Sequence, residues 1–445
     1  MPSYFPENNA ALAGDSLERS MAKVVGGLPP ALDFMFGSFY RNFVSKKTLN
    51  HGIGSAINFT RASNATFFDA DGTLKIAGTN VPRFDHDPVT GESRGLLIEE
   101  ARTNSLQRSA ELDDAAWSKT RATITANAVT APDGTSSADK LIEDTTPTNS
   151  HRAGSPSYSV VSGTAYTFSV FLKSAERANA QISMHIVNAG NAFTTLPSIF
   201  VNLDTGAITN ASATVTNSSI ASVGNGWWRV SISATATSSA TQNAGINLLD
   251  NPSGGNYTGD GTSGLYIWGA QLEAGAFPTS YIPTTSAAAT RAADSAVVTP
   301  ISSFYNQIEG TVFAEYAGAR GNRGVLQFNN NTNDERIGII TSDNSTPFLS
   351  AVSGATSQAV IGVGSVPQIQ DVIKFAGAFK RNDFQAARGG TLGVADTSGN
   401  MPAAQSTHCY IGSIALGGNN ANCHIRKIAY WPKRLPDTLL RQLTT

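Results

Sequence analysis

Charge and cysteine are what this sequence of 445 residues has least of. Only 14% of its residues are charged, where an average globular protein carries about 25%. The 31 basic and 33 acidic residues leave a net charge of −2. Low charge of balanced sign argues against a polyanion-binding protein of the ordinary basic kind, and no Lys/Arg stripe accompanies the aromatics, so no nucleic-acid partner is expected. Cys409 and Cys423 are the only cysteines, so no disulfide framework holds the chain. They flank a turn-rich Gly417-Gly418-Asn419-Asn420 segment that a hairpin would fold back on itself; free thiols are the expectation. No run approaches the roughly 18 apolar residues that signal a membrane helix, so no membrane insertion is expected. Heptads are absent, which removes coiled-coil association, and Met1 to Asn50 lacks the basic start and apolar core of a secretory leader.

What remains is 40% hydrophobic residues, 41 Gly, 19 Pro and an abundance of Ser, Thr, Asn and Ala. That is the composition of an all-β chain with many turns and hydroxyl-bearing faces. The expected architecture is two consecutive antiparallel β-sandwich or jelly-roll domains after a short, partly helical N-terminal docking segment. Residues 1–56 form that segment: Ala10 to Val25 reads as a short helix, and Phe34, Phe36, Phe39, Tyr40 and Phe43 need burial. The body of this chain, a symmetry mate or a larger assembly would each serve. Residues 57–108 read as a small β connector of short strands and Asx turns, among them Asp69-Ala70-Asp71-Gly72 and Asp85-His86-Asp87-Pro88.

Residues 109–293 carry the clearest alternation. Tyr166, Phe168, Val170 and Leu172 share a face, as do Trp228, Val230 and Ile232, with Arg229, Ser231 and Ser233 opposite. Strands recur between turn signals with almost no helical pattern, as in a sandwich or jelly roll. Residues 294–445 read as a second all-β module, with strands such as Thr311 to Tyr316, Arg336 to Thr341 and His424 to Trp431, closed by a helix over Pro436 to Leu443.

Three stretches resemble a module set of tailed-bacteriophage virion proteins. The first holds Phe59-Thr-Arg-Ala-Ser, Val81-Pro-Arg-Phe-Asp-His-Asp-Pro and Leu97-Ile-Glu-Glu-Ala-Arg-Thr-Asn104. The second runs from Ala116-Trp-Ser-Lys to Gly264-Leu-Tyr-Ile-Trp-Gly-Ala-Gln-Leu-Glu273 and Pro278-Thr-Ser-Tyr-Ile-Pro283, and is similar to a carbohydrate-binding-module-like jelly roll. The third pairs Glu309-Gly-Thr-Val-Phe-Ala-Glu-Tyr with Cys423-His-Ile-Arg-Lys-Ile-Ala-Tyr-Trp-Pro, and resembles a concanavalin A/laminin-G-like lectin sandwich. The resemblance implies a virion component: a tail fibre or spike, or a head-decoration, collar or baseplate protein. It implies other virion proteins as partners, assembly in the host cytoplasm and a homo-oligomer, with a trimer favoured.

Catalytic motifs fail on inspection. Gly14-Asp15-Ser16-Leu17 spells an esterase signature, but no His in the chain follows an Asp at the required Asp-x-x-His spacing. Gly91-Glu92-Ser93-Arg94-Gly95 has the pattern of a nucleophile elbow with its strand on the wrong side. No zinc, phosphate-loop or dinucleotide motif occurs. Glu99 and Glu100 are adjacent and point to opposite faces of a strand, and nothing ties Glu315 to Asp343. No catalytic residue, metal or cofactor is expected. Sugar binding instead needs aromatic faces and hydrogen-bonding groups. Alternation places Trp227 with Arg229 on the polar face, beside the Asn225-Gly226 turn, which makes it the foremost stacking candidate. Tyr257, in a loop, and Asn330 and Asn333, in an Asn-rich hairpin, complete the glycan-binding candidates. Host-surface polysaccharide or lipopolysaccharide is the expected ligand.

Overall fold

The computed structural model describes residues 57–445 apart from 186–191, 320, 369–370 and 416–417, together with the backbone of Leu32–Met35. The expected helix over Ala10 to Val25, the Gly14-Asp15-Ser16-Leu17 motif and Phe36, Phe39, Tyr40 and Phe43 lie outside the described residues. Among the described residues the chain is almost entirely antiparallel β, with one helix, Asp437–Thr444.

The strands build two sandwiches. In the jelly roll, one sheet runs Asn217–Ser222, Trp227–Thr235, Ala165–Ser174, Gly264–Ala274, Ala138–Glu143, Ala122–Val129. Its partner runs Ala207–Ala211, Ser198–Asn202, Asn179–Ser183, Gly245–Leu249, His151–Gly154, Ser118–Thr120. The period-2 sequence pattern decides what lies between them: Phe168, Val170, Leu172, Val230 and Ile232 meet Ile182, Ile246 and Leu248 in one apolar core.

The second sandwich draws on both ends of the described chain. Its first sheet places Cys423–Trp431 between Glu309–Ala317 on one side and Ser93–Ile98 on the other, with Phe84–His86 at the edge. The backbone of Leu32–Met35 pairs with the same central strand, Leu32 opposite Tyr430 and Met35 opposite Lys427. Part of the N-terminal segment is therefore docked on this chain's own body. The facing sheet begins with Asn58–Thr60, then Ser295–Val298, His408–Ile411 and Arg323–Asn329. Phe59, Leu96 and Ile98 join Val312, Phe328 and Phe375 in one core. Strands expected to make a separate connector over 57–108 thus complete the sandwich of residues 295–431, and the jelly roll is inserted between its halves. Local pattern gives strands but not their partners, and these pairings span 235 to 329 residues. The chain leaves and returns through a two-stranded neck, Arg102–Asn104 against Ala289–Arg291.

The closing helix covers the outer face of the first sheet, where Phe313, Ala376 and Trp431 pack on Leu440 and Leu443. Cys409 and Cys423 lie in opposite sheets as free, buried thiols.

Candidate functional site: a cleft between the two sandwiches

Beside the neck, buried charges of the second sandwich and the neck reach the jelly roll through Ser280 and Thr279. Asp294 takes Arg61 at 3.1 Å and Arg83 at 2.6 Å, one on each carboxylate oxygen. Glu99 takes Arg83 at 2.7 Å and Arg291 at 3.1 Å, and accepts hydrogen bonds from the Ser280 amide (2.8 Å) and hydroxyl (2.6 Å). Burial alone would raise the Glu99 carboxyl; Arg291, Arg83 and the two Ser280 bonds overrule it and hold it well below the ordinary carboxylate range. Glu273 accepts from Gln271, from the Thr279 amide and from the Thr279 hydroxyl, which pins the segment running to Ile282. Asn104 does the same on the other side, donating to the carbonyls of Ala270 and Ile282. Arg61, Arg83, Glu99, Asn104, Gln271, Glu273 and Ser280 are among the polar residues of the first two sequence motifs. Their conspicuous pattern is that of a structural seam.

The seam holds open a cleft of about 640 Å³ beside it. Its floor is the outer face of the jelly-roll sheet, where Ser219, Ala221, Arg229 and Ser231 project together because the apolar members of those strands point inward. Phe68 stands half-buried at one wall, and Phe277 and Tyr281 form another. The second sandwich and the connector strands contribute Asp85, Asp87, Arg94, His424 and Arg426. The Pro88 carbonyl closes one end: a Cβ on Gly72, whose φ is +73°, would lie 2.4 Å from it, so that turn admits only glycine.

Most of these charges already have partners. His424 Nε2 is 2.7 Å from Asp85 Oδ2, and the other Asp85 oxygen accepts the Phe68 amide at 2.7 Å. Asp87 pairs with Arg94 at 2.8 Å. Against the upward push of partial burial, the amides of Thr90 and Val89 and the Arg94 guanidinium hold its carboxyl at about 2. The Arg229 guanidinium lies 5.5 Å from the centre of the Phe171 ring and donates through Nη2 to Ser169 Oγ at 3.1 Å. Burial pushes it down, Glu273 and Glu99 acting from longer range in the other direction. No hydroxyl of the described residues is bonded to His424, so the Asp85–His424 pair has no nucleophile poised against it. No group of three or more His, Cys, Asp or Glu able to hold a metal occurs among the described residues.

The structure corrects several expected positions. Trp227 is 2% exposed, packs with Phe171, Trp268, Tyr281 and Leu74, and donates its indole N–H to Thr130 O at 3.1 Å. Alternation did put it on the face opposite Val230, but at that end of the strand the connector hairpin Ala65–Phe68/Leu74–Ala77 covers the face. Tyr257 is 7% exposed; its hydroxyl donates to Glu143 at 2.6 Å and its ring is wedged between His151 and Arg177. Asn330 accepts its own turn's Thr332 amide and hydroxyl, and the Asn333 carbonyl is bonded by Arg336, so both serve a hairpin tip and neither lines the cleft. Of the glycan-binding candidates only Arg229 reaches the cleft. Phe34 lies in the docked strand, without a described side chain. Sequence reasoning missed Arg426, and it read Asp85 only as turn chemistry. The one available signal was the Asp-His-Asp-Pro run, and only the pairing of Ser93–Ile98 with Cys423–Trp431 brings it to His424.

No family model and no curated protein matches this sequence. Among solved structures, the carbohydrate-binding module CBM40 of the Ruminococcus gnavus IT-sialidase is similar at 12% identity and a TM-score of 0.28, covering 32% of this chain and 84% of that one. A heptameric SAP-like pentraxin of Limulus polyphemus is similar at 12% identity and a TM-score of 0.25, over 31% and 70% of the two chains. The Trypanosoma rangeli sialidase is similar at 10% identity and a TM-score of 0.27, over 69% of this chain and 60% of that one. At such TM-scores none of these likenesses bears on ligand or activity.

Proposed function

We propose that this chain is a non-catalytic glycan-binding protein of a bacteriophage virion, a tail-fibre or spike component that attaches to host-surface polysaccharide or lipopolysaccharide. The cleft carries the glycan reading. Its volume lies within the roughly 300–1,000 Å³ of ordinary ligand sites, and it offers a half-buried aromatic, Phe68, beside Ser219, Ser222, Ser231 and two guanidiniums that form no ion pair. An apolar ring for the C–H face of a sugar, next to donors for its hydroxyls, is what saccharide recognition requires. The virion attribution is supported by the sequence resemblance alone. A homo-oligomer, a trimer in this reading, would raise a weak single-site affinity by on the order of 10²–10⁴ through linkage. The rival reading is a decoration, collar or baseplate protein whose cleft is filled by another virion protein; a depolymerase would need a carboxylate pair free of partners.

The test is binding of the full-length protein to host cells before and after surface polysaccharide is stripped. Saturable binding lost on stripping and weakened by Phe68→Ala is the expected result. Undiminished binding after stripping, or none to intact cells by a folded oligomer, defeats the glycan reading. Release of new reducing ends from the polysaccharide would replace it with the depolymerase.

A further inference from the structure

Two arginines line the cleft without an ion-pair partner among the described residues. Arg229 rises from the floor and Arg426 from the wall contributed by the second sandwich. The carboxylates around them are committed elsewhere: Glu99 to Arg83 and Arg291, Asp87 to Arg94, Asp85 to His424 and the Phe68 amide. The Nε of each of these two arginines is buried without a hydrogen-bond partner, and neither forms an ion pair among the described residues. Every other charged side chain named here as lining the cleft has a partner.

The backbone is built to place Arg426. Along Cys423–Trp431 the pairing with Glu309–Ala317 slips by one residue: Glu315 faces Lys427 and Tyr316 faces Ile425, leaving Arg426 as the extra residue of a bulge. Bulges re-aim side chains and recur beside functional sites. On the other side of the strand, Gly95 has a φ of +97°, and a Cβ there would lie 2.3 Å from Ile425 O and 2.9 Å from Arg426 Cα. Glycine at 95 is what lets the two strands close around the bulge.

A partly desolvated cation with no ion pair costs free energy, and a carboxylate from outside the chain would offset that cost at Arg229 and Arg426. We infer that the cleft receives an acidic saccharide, whose carboxylates are taken by Arg229 and Arg426 while a sugar face lies against Phe68. The inference deepens the glycan reading and rests on it. A carboxylate presents two oxygens in one plane, which suits the planar fork of a guanidinium.

The experiment is calorimetric titration of the full-length protein with polygalacturonate, alginate and hyaluronan oligomers. Each is compared with its carboxyl-reduced counterpart and with a sulfated neutral glucan. At least one acidic oligomer should bind and its reduced form should not, and Arg229→Gln and Arg426→Gln should each weaken binding about tenfold or more. Thermal melts of both variants establish that they are folded, and Arg426→Lys separates charge from fork geometry by restoring little. Equal affinity for acidic and reduced forms overturns the acidic assignment and leaves glycan binding standing. Equal affinity for the sulfated glucan overturns the choice of carboxylate. Binding of none of these, with none to host cells, overturns the glycan reading itself.

Discussion

Five of the arginines around this junction divide into two groups. Arg61, Arg83 and Arg291 are sealed into the seam, each ion-paired with Asp294 or Glu99. Arg229 and Arg426 stand at the cleft with no carboxylate. The chemistry is the same and the surroundings differ. Where both partners come from the chain, the charge fixes how two sandwiches join; where only one does, it is a capacity left for a ligand. Removing a paired charge and removing an unpaired one should therefore have unlike consequences.

The largest effect is expected at Asp294. Asp294→Ala leaves Arg61 and Arg83 buried without their shared carboxylate and should cost about 3–5 kcal/mol, seen as a fall in the urea midpoint. A loss below about 1 kcal/mol would mean that the buried charge cluster is hydrated. Acid should attack the same place. Because Glu99 is held low in the folded chain, its contribution is full above the ordinary carboxylate range near pH 4.3. It is lost progressively as pH falls below that range toward the folded value. Asp87, held at about 2, adds a smaller contribution of the same sign between about pH 4 and 2. Melting temperature against pH should therefore drop on the acid side, and Glu99→Gln should flatten that drop from a lower starting point; an unchanged slope in the variant would assign acid sensitivity elsewhere.

Gly95→Ala should come next, at about 2–3 kcal/mol, since it combines a positive φ with a collision against the Ile425 backbone. It should also weaken ligand binding in the protein that still folds, because the bulge at Arg426 moves. The smallest change is expected at the cleft itself. Arg229→Gln and Arg426→Gln should alter stability by less than about 1 kcal/mol, and a gain is as consistent with an uncompensated cation as a small loss. A loss as large as that of Asp294→Ala would break the division and make these arginines part of the seam.

Much of the fold is legible in the residues. Val230 and Ile232 against Arg229 and Ser231 specify a strand with one apolar face, and the strand is Trp227–Thr235. Pro436 to Leu443 reads as a short helix, and a helix covers Asp437–Thr444. The site is less legible. The same alternation that correctly sets Arg229 opposite Val230 misleads at Trp227, because it names the face a side chain takes and is silent on what covers that face. Connector residues Leu74 and Phe68 cover it at one end of the sheet and leave it open at Arg229.

The sequence by itself determined the all-β class, the strands and the side of each strand that is apolar, since these follow from a period of two between neighbouring residues. Tertiary structure alone decided that residues 58–98 complete the sandwich of residues 295–431, that the motif charges are a seam, and that Asp85 meets His424 across 339 positions of chain. The physical reason is separation: strand pairing, burial of a charge and the walls of a cleft are set by residues hundreds of positions away, and no local pattern carries their address.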